Sequence, residues 1–191
     1  MKDFKIVDME LASDKEQINN WQNQYAGTDE FKAIEHYILE DRMLYDLGEV
    51  VETNFEIVNI GDNEVKKALV AKTNEGEIVG FIICQAFDLQ TSLPEIFLQY
   101  IVINPKYQHQ GYGKAIFTEF FSNPQKYLGL AKHHKKPHYV FSFIDKTNES
   151  SKALYQSFGF DISKEMKNST FVRATSNLPE LEKVINQKSL N

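Results

Sequence analysis

Residues 96–114, IFLQYIVINPKYQHQGYGK, constrain the fold of this chain more than any other segment. The apolar first half predicts a buried strand, Pro105 predicts a turn, and Gly111 and Gly113 lead directly into an amphipathic helix. A helix that begins in this way leaves its first N–H groups without helical acceptors and directs the positive end of its dipole outward. The segment therefore predicts an anion site, and a phosphate site in particular.

The residues around the two glycines exclude the two best-known phosphate loops. A P-loop would need glycine at the place of Gln108 and Ser or Thr at the place of Ala115. A dinucleotide-binding loop would need a third glycine at the place of Ile116. The pattern that remains is Gln108-x-x-Gly111-x-Gly113.

A second motif lies downstream, in residues 148–160, NESSKALYQSFGF. It contains the Asn, the small residue, the Leu-Tyr pair and the final Gly-Phe of the pattern N-x-x-A/S-x-x-L-Y-x-x-x-G-F. Together the two motifs resemble those of the GNAT superfamily of N-acetyltransferases, in which Q/R-x-x-G-x-G/A holds coenzyme A. The resemblance covers residues 76–160 and is weak on either side of them.

The resemblance implies an α/β (α+β) architecture, the GNAT fold. In that fold a central mixed, mostly antiparallel sheet of six to seven strands is splayed between strands 4 and 5 and flanked by helices. We expect residues 1–176 to form a single GNAT-like acetyltransferase domain and residues 177–191 to form a C-terminal helical extension. A chain of 191 residues is long enough to bury a substantial core in one domain.

The resemblance also implies acetyl-CoA as the cofactor and indicates where it is held. Backbone N–H groups of the glycine loop would bind the pyrophosphate, because glycines remove side chains that would block its approach. Backbone groups freed where strand 4 leaves strand 5, near Ile101 to Ile103, would pair with the pantetheine arm, and one N–H would polarise the thioester. The implied cofactor-binding residues are Ile101, Ile103, Gln108, His109, Gln110, Gly111, Tyr112, Gly113, Lys114, Asn148 and Ser151.

The catalytic residue implied by the resemblance is Tyr155, whose hydroxyl would protonate the departing thiolate as general acid. The alternative is a tyrosine that only packs on a helix, just as Asn148 could serve only as a helix cap. The general base stays unassigned. Glu95 and Asp145 are the nearest acids, and a water chain or an acid from the N-terminal helices is equally compatible with the sequence.

These residues predict an acetyl-CoA-dependent N-acetyltransferase that acts by direct transfer in a ternary complex, since no Cys or Ser motif suggests an acetyl-enzyme. The acceptor would be a small-molecule or peptide primary amine, such as a polyamine, an amino sugar, an amino acid or a peptide terminus. A non-catalytic acyl-CoA-binding sensor or regulatory module is the alternative. The missing base favours this alternative, and Tyr155 counts against it.

The distribution of charge bears on the partners. The net charge of −6 argues against a nucleic-acid partner. Residues 28–64 hold eleven acids and two bases, which gives this segment a net charge of −9. These acids form either a solvated helix face or, if the resemblance extends to the acceptor cleft, a wall that attracts a cationic amine. The oligomeric state stays open, a homodimer included.

No other composition signal adds a partner. The longest apolar run, residues 78–84, is far shorter than the ~18 residues that cross a bilayer, so we expect a soluble, cytoplasmic protein with no membrane partner. The adjacent histidines of residues 132–138 cannot share a helical face, and no carboxylate or cysteine completes a set, so we predict no metal site. Cys84 is expected to be a core residue.

The remaining patterns predict the order of elements. Ser13 or Asp14 is expected to cap the first helix. The apolar strand 96–103 is expected to be covered on both faces. The predicted strands are 4–9, 55–60, 67–73, 77–88, 96–103, 138–144, 160–165 and 170–175, and the predicted helices are 14–25, 29–47, 148–158 and 177–188, besides the one after the glycines. Strands 67–73 and 77–88 are expected to form a hairpin that turns at residues 74–76, and Asn123-Pro124 is expected to weaken or end the helix after the glycines.

Overall fold

The computed structural model describes residues 2–29, 63–165 and 169–189. They form one seven-stranded mixed sheet. Its strands are β1 (Lys5–Asp8), β2 (Glu64–Lys72), β3 (Ile78–Phe87), β4 (Glu95–Ile103), β5 (Tyr139–Asp145), β6 (Asp161–Glu165) and β7 (Phe171–Asn177). Their order in the sheet is β1-β2-β3-β4-β5-β7-β6, which confirms the predicted fold class. The predicted β2–β3 hairpin turns at Gly76, where φ is 85°.

Five α-helices connect or follow these strands in the described ranges. The break predicted at residues 123–124 separates two of them, because Asn123 caps a short helix that has Pro124 in its first turn. No helix in the described ranges is long and apolar enough to span a bilayer. The helices are α1 (Leu11–Tyr25), α2 (Tyr112–Ser122), α3 (Pro124–Leu128), α4 (Glu149–Ser157) and α5 (Leu178–Ser189).

Helix α1 begins at Leu11, so the predicted cap at Ser13 or Asp14 is wrong. The Asp14 side chain acts from inside the helix, where its Oδ2 accepts a hydrogen bond from the backbone N–H of Glu10 over 2.8 Å. Its Oδ1 lies 2.7 Å from Lys72 Nζ of β2, and the Asp14 side chain is fully buried. Asp14 therefore holds the residue just before α1 from inside the helix and also ties this helix to the sheet.

The described residues fall into two compact units. The first comprises residues 2–29, 66–83 and 100–117, and its core packs α1 against β2 and β3, with the Trp21 ring stacked on Phe81 at 6.2 Å. The second comprises residues 63–65, 84–99, 118–165 and 169–189. In this second unit α5 buries three apolar side chains, Leu178, Leu181 and Ile185.

The strand that is covered on both faces is β3, because every residue from Ile78 to Cys84 is buried. The expectation that β4 is covered in this way is wrong, since its residues alternate between buried and half-buried. Gly80 shows how closely β3 and β4 approach each other. A Cβ at this position would lie 2.5 Å from the carbonyl oxygen of Val102, so only glycine fits.

The sheet is splayed between β4 and β5. These two strands pair in parallel over three positions, and the last pair is Phe97 with Phe141, although both strands continue. The pairing thus ends earlier along β4 than Ile101 to Ile103, where the resemblance placed the divergence. Beyond β5 the sheet continues through β7, which pairs antiparallel with β5 over seven positions and with β6 on its other side.

Two groups of predictions remain without a test. The helix predicted for residues 29–47, the strand predicted for residues 55–60 and most of the acidic segment lie outside the described residues. The domain limits, 1–176 and 177–191, stay a prediction.

Candidate active site

The glycine loop is preceded by a short 3-10 turn, Pro105–Tyr107, which Asn104 holds in place. Asn104 is 3% exposed, and its side chain uses both polar atoms. Oδ1 accepts a hydrogen bond from the backbone N–H of Lys106 over 3.0 Å, and Nδ2 donates to the carbonyl of Ile78 over 2.8 Å. The end of β4 is thereby fastened to β3, which fixes where the loop begins.

The loop itself runs from Gln108 to Gly111 and contains two residues with positive φ, His109 at 56° and Gly111 at 84°. The Gln108 side chain bonds back to the carbonyl of Ile103 over 3.1 Å. Such a conformation favours glycine, because other residues with positive φ place Cβ against their own backbone. The loop therefore turns sharply between strand and helix, as its sequence predicts.

Helix α2 begins at Tyr112, so Gly113 lies in its first turn rather than before it. The N–H of Ala115 makes the first helical bond, to the carbonyl of Gly111 over 3.1 Å. The N–H groups of Tyr112, Gly113 and Lys114 accordingly have no acceptor within the helix. With the positive end of the helix dipole beside them, these three donors suit a diphosphate.

Glu77 braces the turn before the loop, a role that the sequence patterns did not indicate. Its carboxylate accepts hydrogen bonds from Lys106 Nζ over 2.7 Å and from the Tyr107 hydroxyl over 2.6 Å. Burial raises the pKa of the Glu77 carboxyl, but the hydrogen bonds from Lys106 and Tyr107 and the charge of Lys106 outweigh burial and lower this pKa overall. Lys106 and Tyr107 lie about thirty residues from Glu77 in sequence, so no local sequence pattern predicts these contacts.

Aromatic side chains cover the start of α2. The Tyr112 ring lies 5.0 Å from the Tyr107 ring and 6.3 Å from the Phe4 ring, and Lys2 Nζ lies 4.6 Å from its centroid.

The predicted loop residues from Gln108 to Lys114 and the strand residues Ile101 and Ile103 all belong to the first unit. They form one continuous segment that passes from strand through loop to helix.

The residues of the second motif belong to the second unit, where they build α4. Asn148 caps this helix, since its Oδ1 accepts a hydrogen bond from the backbone N–H of Ser151 over 2.9 Å. Tyr155 is 2% exposed and its ring meets Phe160 edge-on, with the two centroids 5.0 Å apart. The structure thus shows capping by Asn148 and packing by Tyr155, while their roles toward a cofactor stay predictions.

The two acids named as nearest to the predicted site, Asp145 and Glu95, lie on β5 and β4. Asp145 Oδ1 accepts hydrogen bonds from the N–H and the hydroxyl of Thr147 over 2.7 and 2.6 Å. Glu95 lies at the first position of β4, opposite Tyr139. Across the described ranges no group of three or more His, Cys, Asp or Glu side chains is arranged to hold a metal ion.

Comparison with known proteins identifies the family. A family model described as "Acetyltransferase (GNAT) domain" matches residues 64–162, which is 99 of the 191 residues and includes both motifs. The chain belongs to the GNAT acetyltransferase family. The predicted resemblance is confirmed, and membership makes this GNAT protein an acetyltransferase of the class that uses acetyl-CoA. No curated protein sequence matches the chain.

Solved structures agree with this GNAT assignment at the level of the fold. Spermidine N-acetyltransferase from Vibrio cholerae, in complex with CoA and spermine, is 15% identical, with a TM-score of 0.62 over 93% of this chain and 97% of that one. PaiA N-acetyltransferase from Thermoplasma acidophilum, in complex with coenzyme A, is 17% identical, with a TM-score of 0.58 over 92% and 99%. The ribosomal-protein-S18-alanine N-acetyltransferase from Escherichia coli is 16% identical, with a TM-score of 0.53 over 92% and 94%.

The loop of this GNAT protein fits coenzyme A on its own geometry. A Cβ at Gly111 would meet no protein atom within 4 Å, so the backbone there is open to a ligand. The three N–H groups of the first turn of α2 follow Gly111 directly in the chain and have no acceptors within the helix. These features suit a pyrophosphate, which needs several close donors and no intervening side chain.

Proposed function

We propose that this chain transfers the acetyl group of acetyl-CoA to a primary amine by direct transfer in a ternary complex. The observation that carries the proposal is the loop of Gln108 to Gly111, whose positive φ values turn the chain into the N-terminus of α2. That arrangement presents backbone donors without helical acceptors to an anion, as an acetyltransferase loop requires. The family match over residues 64–162 supports the same activity.

Acetyl-CoA, when bound, supplies a thioester whose acetyl group passes to the amine while the thiol of coenzyme A is released. In our proposal the N–H groups from His109 to Lys114 bind its pyrophosphate, since the N–H of Gln108 donates to the carbonyl of Pro105 over 3.2 Å. Backbone groups of Ile101 and Ile103 pair with its pantetheine arm. An N–H of this part of β4 donates to the thioester carbonyl and stabilises the charge that develops on oxygen. Asn148 and Ser151 are proposed to contact the cofactor from the start of α4, in addition to the capping bond between them.

Tyr155 is our proposed general acid. Its hydroxyl donates a proton to the sulfur as the carbon–sulfur bond breaks, and the amine loses a proton as the carbon–nitrogen bond forms. Packing against Phe160 holds the Tyr155 ring in one orientation, which favours proton transfer from a fixed position. No residue is assigned as the base, so we propose that ordered water carries the amine proton away.

The acceptor class in this proposal is a primary amine on a small molecule or a peptide. Among proteins of the same fold, one is a spermidine N-acetyltransferase crystallised with spermine and another is a ribosomal-protein-S18-alanine N-acetyltransferase. Both are N-acetyltransferases, although their named acceptors differ in size and charge. We propose the cytoplasm as the location of the reaction.

The proposal is tested by incubating the protein with acetyl-CoA and a panel of amines and identifying products by mass spectrometry. The panel contains a polyamine, an amino sugar, amino acids and a short peptide. We expect at least one acetylated amine, formed in equal amount to the free coenzyme A. Thermal stabilisation by acetyl-CoA without any acetylated product would instead support the non-catalytic acyl-CoA sensor.

A further inference from the structure

The peptide between Ile103 and Asn104 joins β4 to the turn that precedes the glycine loop. Its N–H belongs to Asn104 and donates to the carbonyl of Val79 in β3 over 2.9 Å. Successive residues of a strand direct their backbone groups alternately to its two sides. The N–H and the carbonyl of Ile103 therefore point away from β3, and so do those of Ile101. This is the edge of β4 on which the proposed function places the pantetheine arm.

The carbonyl of Ile103 on this edge already has a partner. Gln108 Nε2 donates a hydrogen bond to it over 3.1 Å, and both residues are half-buried. A half-buried carbonyl at a strand edge needs a donor, and the Gln108 side chain supplies one from within the chain. The peptide between Ile103 and Asn104 is thus held from both sides, by β3 through its N–H and by the loop through its carbonyl.

The backbone of Gln108 is fixed as well, because its N–H donates to the carbonyl of Pro105 over 3.2 Å. A side chain that is anchored at its base and bonded at its tip fixes the distance between the two parts that it joins. Here these parts are the edge of β4 and the loop amides that begin at His109. All of these residues belong to the first unit.

From this geometry we infer that Gln108 is a positioning residue, whose side-chain amide holds the edge of β4 and the glycine loop at the spacing that acetyl-CoA requires. The inference rests on the proposed function, which places the pantetheine arm on that edge and the pyrophosphate in the loop. It assigns the Gln108 side chain to Ile103 rather than to the cofactor. A ligand that occupies two subsites binds more tightly when the spacing of these subsites is fixed in advance.

The test compares a ligand that spans both subsites with one that occupies a single subsite. Acetyl-CoA carries both the pyrophosphate and the pantetheine arm, and ADP carries only the diphosphate. Calorimetry on the full chain measures the association constant of acetyl-CoA, and NMR titration measures that of ADP. The ratio of the two constants is decisive, because a side chain that contacts the phosphates, or that only folds the loop, changes both constants alike.

Three variants isolate the hydrogen bond between Gln108 and Ile103. Gln108→Met keeps the length of the side chain and removes its donor, whereas Gln108→Arg keeps N–H donors at the tip. Gln17→Met is a matched control, since the Gln17 side chain also donates to a backbone carbonyl of the first unit, that of Gly76 over 3.4 Å. Thermal melts establish that each variant is folded. Gln108→Asn, whose amide is one carbon shorter, replaces Gln108→Met if that variant does not fold.

We expect the same ratio of association constants in wild type and Gln17→Met. The ratio should fall about tenfold in Gln108→Met, because the two subsites are no longer held at one spacing, and it should recover in Gln108→Arg. An unchanged ratio in Gln108→Met would overturn the inference, whether or not both constants fall together. Failure of Gln108→Arg to restore the ratio, or binding of acetyl-CoA but not of ADP by wild type, would also overturn it.

The inference and the proposed function can fail separately. The expected ratios without acetylation of any amine would contradict the transferase and support the positioning role of Gln108. Acetylation by wild type together with an unchanged ratio in Gln108→Met would support the transferase and remove the positioning role.

Discussion

Ser142 Oγ donates a hydrogen bond to the carbonyl oxygen of Leu98 over 2.8 Å, one position beyond the last pair of the β4–β5 ladder, Phe97 with Phe141. Both residues are buried, Ser142 at 3% exposure and Leu98 at 1%. A strand that leaves its neighbour exposes carbonyl groups that the ladder would otherwise pair. Here the Ser142 side chain takes the place of a backbone donor, so the strands part without leaving the buried carbonyl of Leu98 unpaired.

Replacing Ser142 by alanine should lower the free energy of unfolding by about 2 kcal/mol, because the buried carbonyl of Leu98 loses its donor. Chemical denaturation measures this change. Ser150→Ala is the control, since Ser150 is exposed in α4 and should show no comparable loss. If both variants unfold at the same denaturant concentration, the hydroxyl does not stabilise the splay.

Gly111→Ala should lower stability by about 1 kcal/mol and weaken the binding of acetyl-CoA. Its φ of 84° strains any residue with a Cβ, and relief of that strain would turn the loop amides away from the pyrophosphate. Gly76→Ala is a matched control, because Gly76 has a φ of 85° and equally open surroundings. Calorimetric titration should show weaker binding for Gly111→Ala alone. Equal affinity in both variants would remove the loop from the cofactor site.

The contacts of the Glu77 carboxylate with Lys106 and Tyr107 should stabilise the fold less in acid. Its folded pKa lies below the ordinary value of 4.5, so its contribution is complete above that pH and is lost as the pH falls through the folded pKa. Glu77→Gln should therefore lose less stability than wild type between about pH 5 and pH 3. Glu77 is 39% exposed, so we expect a difference below about 1 kcal/mol.

Denaturation curves across this pH range provide the measurement. Glu75→Gln is the control, since Glu75 is exposed in the same β2–β3 turn and should keep the acid dependence of wild type. Parallel curves for Glu77→Gln and wild type would show that the contacts with Lys106 and Tyr107 do not stabilise the turn.

Sequence patterns were sufficient for features that depend on near neighbours. Alternation and turn residues predicted the β2–β3 hairpin at Gly76, and Asn123 with Pro124 predicted the break between α2 and α3. The glycine loop could be assigned because positive φ selects Gly111 whatever the tertiary structure. The family could be recognised for the same reason, since both motifs are local.

Features set by tertiary contacts were not predictable in this way. Asp14 looks like a helix cap, but its partner Lys72 is distant in sequence. The apolar residues of β4 look doubly covered, yet only the layers around the sheet decide that β3 is the buried strand. No pattern in the local sequence of β7 predicts the contact of Arg173, because only the strand register places this residue beside the Phe141 ring.

Amine-dependent release of the coenzyme A thiol by wild type and Tyr155→Phe tests the central claim most directly. The phenylalanine ring preserves the packing against Phe160 and removes only the hydroxyl, so acetyl-CoA affinity should be unchanged, and a thermal melt establishes that the variant is folded. We predict that wild type releases thiol only with an amine and that Tyr155→Phe releases it about a hundredfold more slowly. Release at the wild-type rate by Tyr155→Phe, or no release by wild type with any amine, would contradict the account.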